Sequence, residues 1–399
     1  MKHYIFYLII ISICFTACNE EFVGQPPIDN TPPASVTNIK IENIPGGATL
    51  TYDLPEEDDL LCITAEYVTP KGGVSEMSSS AYANKITIKG YGKAQKAVVK
   101  LYSVDKSLNR SEPVLVDIET VDSPIYDVFE TLTFREDFGG IRPYWENPLK
   151  EEIVFEVMIK DEIGRYNPVE TVYASDAIYN RAVRGMEAKE SELALCFRDL
   201  YNNYTDTIFA TMTPFFEMEL DKKKFTGLPQ SSNFSQHSWS KGFSAMWDNV
   251  FFLDANVYYL MQKNANNPVL VYFGFDMGIE AKLSRFTLWS REKYCFTLHH
   301  LRTFEIWGTS DPTKANNIDS WDGWTKIMDC ESLRPSGKAE GGDISDVELE
   351  YCKQGEEFEV PLDAPAFRYM KIRVNSTWSN STSAYVGEIT IWGEPTNQN

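Results

Sequence analysis

The sequence repeats part of itself after an interval of about one hundred residues, and this repeat limits the folds that the chain can adopt. In one set the copies lie 93 residues apart, with unchanged internal spacing: Gly46, Gly47, Tyr52 and Pro55 against Gly139, Gly140, Trp145 and Pro148. A second set recurs after 94 residues: Asp105, Asn109 and Ser111 against Asp199, Asn203 and Thr205. Such a period is typical of a β-sandwich module and too long for a solenoid repeat.

The residues between these markers follow strand patterns. Val, Ile, Thr and Tyr dominate the apolar runs, and Gly, Pro and Asn separate them, which is typical of short strands joined by turns. The second copy is less regular, and we expect it to carry a polar, helical insert near residues 179–192. In the first copy the predicted strands are residues 39–44, 48–54, 61–68, 85–88, 97–104 and 114–118.

Two motifs make the copies resemble fibronectin-type-III-like β-sandwiches in tandem. One motif is the aromatic residue of the second strand before a Pro, and the other is a late strand that ends in Asp-x-x-x-Asn-x-Ser/Thr. The resemblance implies one sandwich over residues 34–120 and another over residues 121–220. The Asp and Asn side chains are predicted to cap the turn after the strand, and a binding loop is the alternative.

The first 33 residues have the features of a targeting segment. An apolar run over residues 4–15 is too short to span a bilayer and is typical of a signal peptide. The small residues before Cys18 resemble a bacterial lipobox, so we predict that residues 1–17 are removed and that Cys18 is lipidated. An ordinary signal peptide is the alternative. Residues 18–33 contain four Pro and are predicted to form an extended linker.

The residues directly after Cys18 indicate a location. Asn19-Glu20-Glu21 resembles the surface-export signal of Bacteroidetes lipoproteins. The resemblance implies that the lipid anchor holds the mature protein in the outer membrane, and that the protein faces the cell exterior.

Composition and motifs exclude several classes of function. Asp and Glu (58) outnumber Lys and Arg (37), and the resulting net charge of −21 disfavours binding to nucleic acid. Four His residues are too few for a metal centre with several His ligands. The motifs of hydrolase nucleophiles, zinc proteases, P-loops and dinucleotide sites are absent from the sequence, so we do not predict an enzyme.

The cysteines beyond Cys18 number five, so at least one of them must be unpaired. We expect buried free thiols, because no pair has the spacing of a redox or zinc motif. A disulfide between Cys330 and Cys352 is the alternative.

Residues 225–395 differ in composition from the two repeats. Eight of the nine Trp lie beyond residue 238. Long loops separate the predicted strands, which favours a jelly-roll β-sandwich with functional loops. The acidic stretch over residues 329–359 is expected to be a solvated loop. The predicted strands are residues 270–275, 283–289, 303–307, 324–328, 358–362, 369–374 and 388–392.

Five blocks in this region resemble those of discoidin-like domains, which have the galactose-binding fold of coagulation factor C-domains. Each block combines strand residues with a characteristic Asp, Trp, Arg or Glu. In chain order the blocks are residues 272–278 (YFGFDMG), 304–311 (FEIWGTSD), 323–324 (GW), 366–372 (AFRYMKI) and 387–393 (GEITIWG). The resemblance implies an all-β chain, in which a discoidin-like jelly roll follows the two fibronectin-III-like sandwiches.

The assembled architecture resembles Bacteroidetes lipoproteins that accompany outer-membrane glycan-uptake machinery. The resemblance implies a non-catalytic protein that captures polysaccharide or oligosaccharide at the cell surface, with outer-membrane glycan-uptake proteins as partners. The alternative is a structural subunit of an outer-membrane complex, in which the jelly roll binds another protein and no sugar. A glycoside hydrolase is a third hypothesis, and it requires cleavage of a glycan.

Many discoidin-like domains hold a calcium ion at the rim of the jelly roll, through an Asp of the first long loop and the Glu of the last strand. Asp248 and Glu388 stand at those places, and calcium prefers such carboxylate oxygens. The family usually has Asp-Gly at the first place, whereas this chain has Asp248-Asn249. The resemblance implies one structural calcium ion, and the alternative is a turn at Asp248 with a hydrogen-bonded Glu388.

Sugar binding combines a flat aromatic side chain with hydrogen-bonding groups. Trp378 is the leading candidate, because its neighbours over residues 375–381 are too polar for a core and an exposed indole is expected. For Trp378 the alternative is a lone exposed Trp without a ligand. Core packing is the alternative for most of the other Trp residues, and it is expected for Trp289, Trp307 and Trp392. The further candidates form a second group, Trp289, Arg291, His299 and His300, and a third group, Trp321 and Trp324.

Overall fold

The computed structural model describes residues 29–252, 258–264, 271–339 and 343–396. The fold is all-β, with fibronectin-III-like β-sandwiches followed by a discoidin-like jelly-roll β-sandwich, which confirms the predicted fold class. Across the described ranges, no helix is long and apolar enough to cross a bilayer. The predicted signal peptide, Cys18 and most of the predicted linker lie outside the described residues.

The chain divides into two compact units. Unit 1 contains the described residues up to Thr133, together with Tyr144–Asn180 and Leu193–Ala210. Unit 2 contains Phe134–Pro143, Arg181–Glu192 and the described residues from Thr211 onwards. Two segments of the second repeat therefore belong to unit 2, which also contains the C-terminal region. The boundaries of the three sandwiches that the sequence predicts stay a prediction.

The two repeats consist of short strands with one helix, α1 (Ile125–Thr131), between them. In chain order the strands are β1 (Thr37–Ile44), β2 (Gly47–Asp53), β3 (Leu60–Val68), β4 (Val74–Ser80), β5 (Lys85–Lys89), β6 (Lys96–Asp105), β7 (Val114–Glu119), β8 (Thr133–Asp137), β9 (Gly140–Glu146), β10 (Ile153–Lys160), β11 (Tyr166–Ala174), β12 (Ile178–Tyr179), β13 (Ser191–Asp199) and β14 (Ile208–Met212).

The first repeat is a sandwich of a three-stranded sheet, β1-β2-β5, and a four-stranded sheet, β4-β3-β6-β7. Alternate residues of β2 point into the core, where Ala48, Leu50 and Tyr52 are buried. Ile63 and Leu101 of the other sheet are buried in the same core. The period-two pattern of the sequence thus identifies the inward face of each sheet.

The second repeat has the same two sheets, with the orders β11-β10-β13-β14 and β12-β9-β8. Its core in unit 1 is aromatic. The Trp145 ring on β9 stacks on Tyr179 of β12 with 4.0 Å between centroids, and it meets Phe197 of β13 edge-on at 5.1 Å. Trp145 therefore joins the sheets at the position that corresponds to Tyr52 of the first repeat.

The prediction of a helical insert near residues 179–192 is wrong. That segment contains the end of β12 and an isolated bridge between Ile141 and Val183, and none of its residues is helical. Its polar residues form ion pairs within unit 2 instead. The Arg184 guanidinium donates hydrogen bonds to Glu357 at 3.0 Å and to Glu359 at 2.8 Å, and these contacts stabilise extended backbone.

The two copies of the Asp-x-x-x-Asn-x-Ser/Thr motif form the same turn. The Asp105 carboxylate accepts hydrogen bonds from the backbone N and the side-chain Nδ2 of Asn109, both at 2.8 Å. The Asp199 carboxylate accepts the same two bonds from Asn203, at 2.9 and 2.8 Å. These side chains therefore serve the turn, as predicted from their residue types.

The C-terminal region is a sandwich whose larger sheet has the order β15-β25-β19-β23-β20-β21, with β16 and β22 also paired to β19; the smaller sheet is β17-β18-β24. The strands are β15 (Met218–Glu219), β16 (Thr226–Gly227), β17 (Phe234–Gln236), β18 (Tyr259–Lys263), β19 (Tyr272–Trp289), β20 (Leu301–Thr309), β21 (Thr325–Glu331), β22 (Glu356–Glu359), β23 (Phe367–Thr377), β24 (Ser383–Val386) and β25 (Glu388–Pro395). Two helices, α2 (Pro312–Ala315) and α3 (Asp346–Gln354), lie in the loops.

Strand β19 joins two predicted strands, 270–275 and 283–289, into one strand of 18 residues. The register of β19 with β23 shifts between Asp276 and Ala281, and Gly278 in this bulge has a φ of +75°. The Asp276 Oδ1 accepts a hydrogen bond from the Gly278 N at 2.7 Å. The Asp and Gly residues that indicate a loop in the sequence form a bulge, and the strand continues through it.

The acidic stretch expected to be a solvated loop contains α3, so that expectation is wrong. Ser345 caps the helix: its Oγ accepts a hydrogen bond from the Glu348 N, and the Glu348 carboxylate accepts one from the Ser345 N. Glu348 is buried and pairs with Arg334 at 2.7 Å. Hydrogen bonds from Arg334 hold the pKa of Glu348 well below its usual range.

The five described cysteines are free thiols, so the alternative of a Cys330–Cys352 disulfide is wrong. Cys330 packs in the main core of the C-terminal sandwich, whereas Cys352 packs against Cys295 in a smaller cluster. Burial raises the pKa of Cys196 to about 11, which disfavours its reactive thiolate.

Gly47 offers a test of the first sandwich. A Cβ at Gly47 would lie 1.8 Å from the Ile88 carbonyl oxygen, so Gly47→Ala must displace β2 from β5. We expect the free energy of unfolding to fall by at least about 2 kcal/mol, as in overpacked cores. Urea unfolding measures it. Gly73→Ala is the control, because its Cβ would meet Thr69 Oγ1 at an ordinary 3.5 Å; equal stability of the two variants would contradict the prediction.

Candidate functional site

An exposed tryptophan, Trp239, follows β17 of the smaller sheet in unit 2. It is 65% exposed, and its ring lies edge-on to His237 with 5.0 Å between centroids. The Trp239 N donates a hydrogen bond to His237 Nδ1 at 3.2 Å, and the Leu260 N donates to Ser240 Oγ at 2.9 Å. These hydrogen bonds attach the loop to β18 and order the backbone that carries the Trp239 indole.

Arg291 stands between two tyrosine rings. Its guanidinium carbon lies 4.1 Å from the ring centroid of Tyr258 and 4.2 Å from that of Tyr294. The Tyr385 hydroxyl donates a hydrogen bond to the Tyr294 carbonyl at 2.9 Å and accepts one from the Arg291 N at 3.4 Å. Stacking on two rings fixes the plane of the guanidinium and therefore the directions of its N–H groups.

His299 belongs to the same surface. Its Nδ1 lies 2.7 Å from the Ser381 Oγ. Burial lowers the pKa of His299, and electrostatic interactions with the neighbouring His237 and Arg291 side chains lower it further. These effects favour a neutral imidazole, in which one ring nitrogen donates a hydrogen bond and the other accepts one.

We call this patch the Trp239 surface, and its members are Trp239, His237, His299, Arg291 and Tyr294. An exposed indole packs well against apolar C–H groups, and imidazole and guanidinium nitrogens hydrogen-bond to hydroxyl oxygens. The surface is therefore suited to binding a polyhydroxylated ligand.

Arg291 and His299 are the predicted sugar-binding residues that the structure brings together on this surface. Trp378 is not part of it, and the expectation of an exposed Trp378 is wrong. This residue is only 4% exposed, its Nε1 donates to Ser332 Oγ at 3.2 Å, and its ring packs edge-on to Phe296. The polar residues around it bond to one another, as the Ser381 N does to Thr377 Oγ1 at 2.8 Å, so the turn can bury the indole.

The other members of the second predicted group have structural contacts. His300 is buried, and its Nδ1 accepts a hydrogen bond from the Phe296 N at 2.9 Å. Burial lowers the pKa of His300 to about 3, so the ring is neutral. Trp289 is half-buried, and its Nε1 donates to the Lys353 carbonyl at 3.1 Å. Its ring also meets Phe251 at 4.8 Å between centroids.

Trp321 and Trp324 pack around a cation of the protein itself. The Lys371 Nζ lies 4.8 Å from the Trp321 centroid, 4.4 Å from that of Trp324 and 4.6 Å from that of Tyr272. Burial lowers the pKa of Lys371 to about 8. Trp324 is buried and Trp321 is half-buried, so these rings serve the packing of the sandwich.

Of the two predicted calcium ligands, Glu388 binds an ammonium group and Asp248 does not. The Lys222 Nζ donates hydrogen bonds to Glu388 Oε1 at 2.6 Å and to Asn249 Oδ1 at 3.0 Å. The Asn249 N donates to Glu388 Oε2 at 3.0 Å. Asp248 Oδ1 accepts a hydrogen bond from the Val250 N at 3.0 Å, which is an Asx turn.

Sequence reasoning missed the central residue of the surface. Trp239 lies in the polar run Ser238-Trp239-Ser240-Lys241, which is the same signal that favoured Trp378. His237, two residues earlier, strengthens that signal. Tyr258 gave no local signal for its contact with Arg291, because the two residues are distant in the sequence.

Three domain families match consecutive parts of the chain, and each is described as a domain of unknown function. They are DUF4959 over residues 33–120, DUF5126 over residues 121–223 and DUF5000 over residues 247–393. No curated protein matches the sequence significantly.

Similar solved structures include a SusE-like protein that is 29% identical, with a TM-score of 0.44; the match covers 67% of this chain and 98% of that one. A fragment of a putative chitobiase from Bacteroides thetaiotaomicron is 18% identical over 46% of this chain and 96% of its own, with a TM-score of 0.31. A family 32 carbohydrate-binding module from C. perfringens, in complex with galactose, is 12% identical over 44% of this chain and 98% of its own, with a TM-score of 0.27.

The pKa of His299 tests the assembly of the Trp239 surface. Arg291→Met removes a cation that disfavours protonation of His299, so we expect the His299 pKa to rise towards its usual value. Titration of the imidazole resonances by NMR measures it. Arg368→Met is the control, because Arg368 pairs with Asp276 at 2.8 Å. An unchanged His299 pKa in Arg291→Met would mean that the two side chains do not share a surface.

Proposed function

We propose that this chain is a non-catalytic, glycan-binding lipoprotein of the cell surface, which captures polysaccharide or oligosaccharide for an outer-membrane uptake system. The observation that carries the proposal is the Trp239 surface. There an indole that is 65% exposed lies edge-on to His237, and the same surface contains an arginine stacked on Tyr258.

The chemistry of this surface corresponds to that of a sugar ring. A pyranose has an apolar face of C–H groups and a rim of hydroxyls, and each hydroxyl both donates and accepts hydrogen bonds. The indole of Trp239 supplies the apolar partner. His299, whose pKa is lowered, supplies the ring nitrogen of a neutral imidazole that does not bond to Ser381, and Arg291 supplies donors in a fixed plane.

Rigidity supports the proposal further. Binding costs less free energy when the contacting side chains are already ordered in the free protein. Arg291 is held between Tyr258 and Tyr294, and the Trp239 backbone bonds to His237. A ligand therefore meets an Arg291 side chain and a Trp239 backbone that are already ordered.

Substitution of the exposed indole tests the glycan-binding role. The mature chain that starts after Cys18 is screened against a panel of host and plant polysaccharides by affinity electrophoresis, with calorimetry on each hit. We expect Trp239→Ala to weaken binding at least tenfold, because truncation of a central aromatic contact costs about 2 kcal/mol. Tyr82→Ala is the matched control, since Tyr82 is an aromatic residue of unit 1 that is 98% exposed.

The same mixtures separate the competing functions. Release of reducing ends would favour a hydrolase, and binding without products favours capture. If no glycan binds, or if Trp239→Ala binds as the natural protein does, the proposed site is wrong. Recovery of an outer-membrane partner without any sugar affinity would favour the structural subunit.

Lipidation is tested independently. Cys18→Ser removes the thiol that would carry the acyl chains, so we expect the protein to move from the membrane fraction to the soluble fraction of cells. Fractionation with immunodetection measures this, and Cys62→Ser is the control because Cys62 lies within the first sandwich. Cys18→Ser protein that stays in the membrane fraction would contradict the anchor. Protease treatment of intact cells tests whether the protein faces outwards.

A further inference from the structure

The Lys222 ammonium lies where the resemblance to discoidin-like domains implies a calcium ion. Its Nζ is 2.6 Å from Glu388 Oε1 and 3.0 Å from Asn249 Oδ1, and both oxygens accept its hydrogen bonds. The second oxygen of Glu388 accepts a hydrogen bond from the Asn249 N at 3.0 Å. Both carboxylate oxygens of Glu388, the predicted calcium ligand, thus accept hydrogen bonds from nitrogen donors.

The surroundings do not fit a divalent cation. Calcium needs six to eight oxygen ligands at 2.3–2.6 Å, whereas Lys222 Nζ occupies the space in front of Glu388 at a comparable distance. Lys222 and Glu388 are 7% and 0% exposed, so the ammonium is not a surface group that readily swings away. The Phe251 ring, with its centroid 5.1 Å from Nζ, covers the pair. Asp248 uses Oδ1 in its own turn.

The backbone fixes the lysine in this position. Lys222–Lys224 forms a short 3-10 turn, which begins where the Asp221 side chain accepts a hydrogen bond from the Lys223 N at 3.1 Å. The turn directs Lys222 inwards, while Lys223 is exposed. The ammonium then connects three segments that are distant in the sequence: this turn, the loop at Asn249 and the start of β25 at Glu388.

We propose that Lys222 replaces the calcium ion in this jelly roll, as a cation that is covalently part of the chain. A metal ion at this place would tie a rim loop to the last strand, and the ammonium makes the same connection with one positive charge. The loop that leads from β17 past Trp239 to Asn249 is therefore held without metal. This inference is independent of the proposed function, because it concerns the stability of the rim and not the identity of a ligand.

The first experiment uses the natural protein. Its thermal unfolding is followed by calorimetry in a chelator and in millimolar calcium chloride. We expect the same melting temperatures in both, because the ammonium already satisfies Glu388. A rise in melting temperature with calcium that is lost in Glu388→Gln would overturn the proposal.

Substitution of the lysine is the second experiment. Lys222→Met keeps most of the length of the side chain and removes its charge, so the buried Glu388 is left without its cation. We expect the melting temperature to fall by about 5 °C or more. Lys223→Met, on the exposed neighbour, is the matched control and is expected to have little effect. A Lys222→Met protein as stable as this control would overturn the proposal.

A double substitution keeps the test valid if Lys222→Met folds poorly. In Lys222→Met with Glu388→Gln, the unpaired charge is gone, so we expect much of the lost melting temperature to return. The double variant should lose less stability than the sum of the two single losses, which is the signature of a direct pair. Additive losses would show that the two side chains do not act together, and would overturn the proposal.

Discussion

Backbone hydrogen bonding along β19 is the constraint on which the C-terminal sandwich depends. The first half of β19 pairs with β16 and β23, and the second half pairs with β22 and β25. A buried strand needs partners for its N–H and C=O groups on both edges, and the bulge at Gly278 allows each half to find its own pair. A Cβ at Gly278 would lie 2.8 Å from the Lys224 carbonyl oxygen, so the bulge packs directly on the turn that carries Lys222.

The end of β19 also determines where the candidate site lies. The Gly387 N donates a hydrogen bond to the Trp289 carbonyl at 3.0 Å, which places Glu388 beside the last residue of β19. Arg291 of the Trp239 surface lies two residues after the end of β19. The smaller sheet supplies the rest, because β17 leads to His237 and Trp239, and the β24 residue Tyr385 bonds to the backbone of the Arg291 segment. The Trp239 surface and the Lys222–Glu388 pair therefore both depend on the position of the end of β19.

The features that could be predicted from the sequence depend on contacts between residues that are close in the sequence. The turn at Asp105 could be predicted because its carboxylate bonds to Asn109, four residues away, and the repeat at Asp199 reproduces it. Sequence reasoning failed for Trp378, which lies in polar sequence like that of Trp239 but is buried. The difference comes from distant contacts, since the Trp378 N donates a hydrogen bond to the His300 carbonyl at 2.9 Å. Local composition does not contain that information.

Unit 2 buries cations in two ways, and the difference separates structural aromatic rings from those that can receive a ligand. Lys222 is paired with a carboxylate, whereas Lys371 lies among the faces of Tyr272, Trp321 and Trp324. An aromatic face attracts a cation through its quadrupole, and a face used in this way is closed to a sugar. The neighbour of Trp239 is His237, whose ring lies edge-on to the indole, and Trp239 is 65% exposed. The way in which each ring is used inside the protein, more than its residue type, therefore favours Trp239 as the candidate for contact with a ligand.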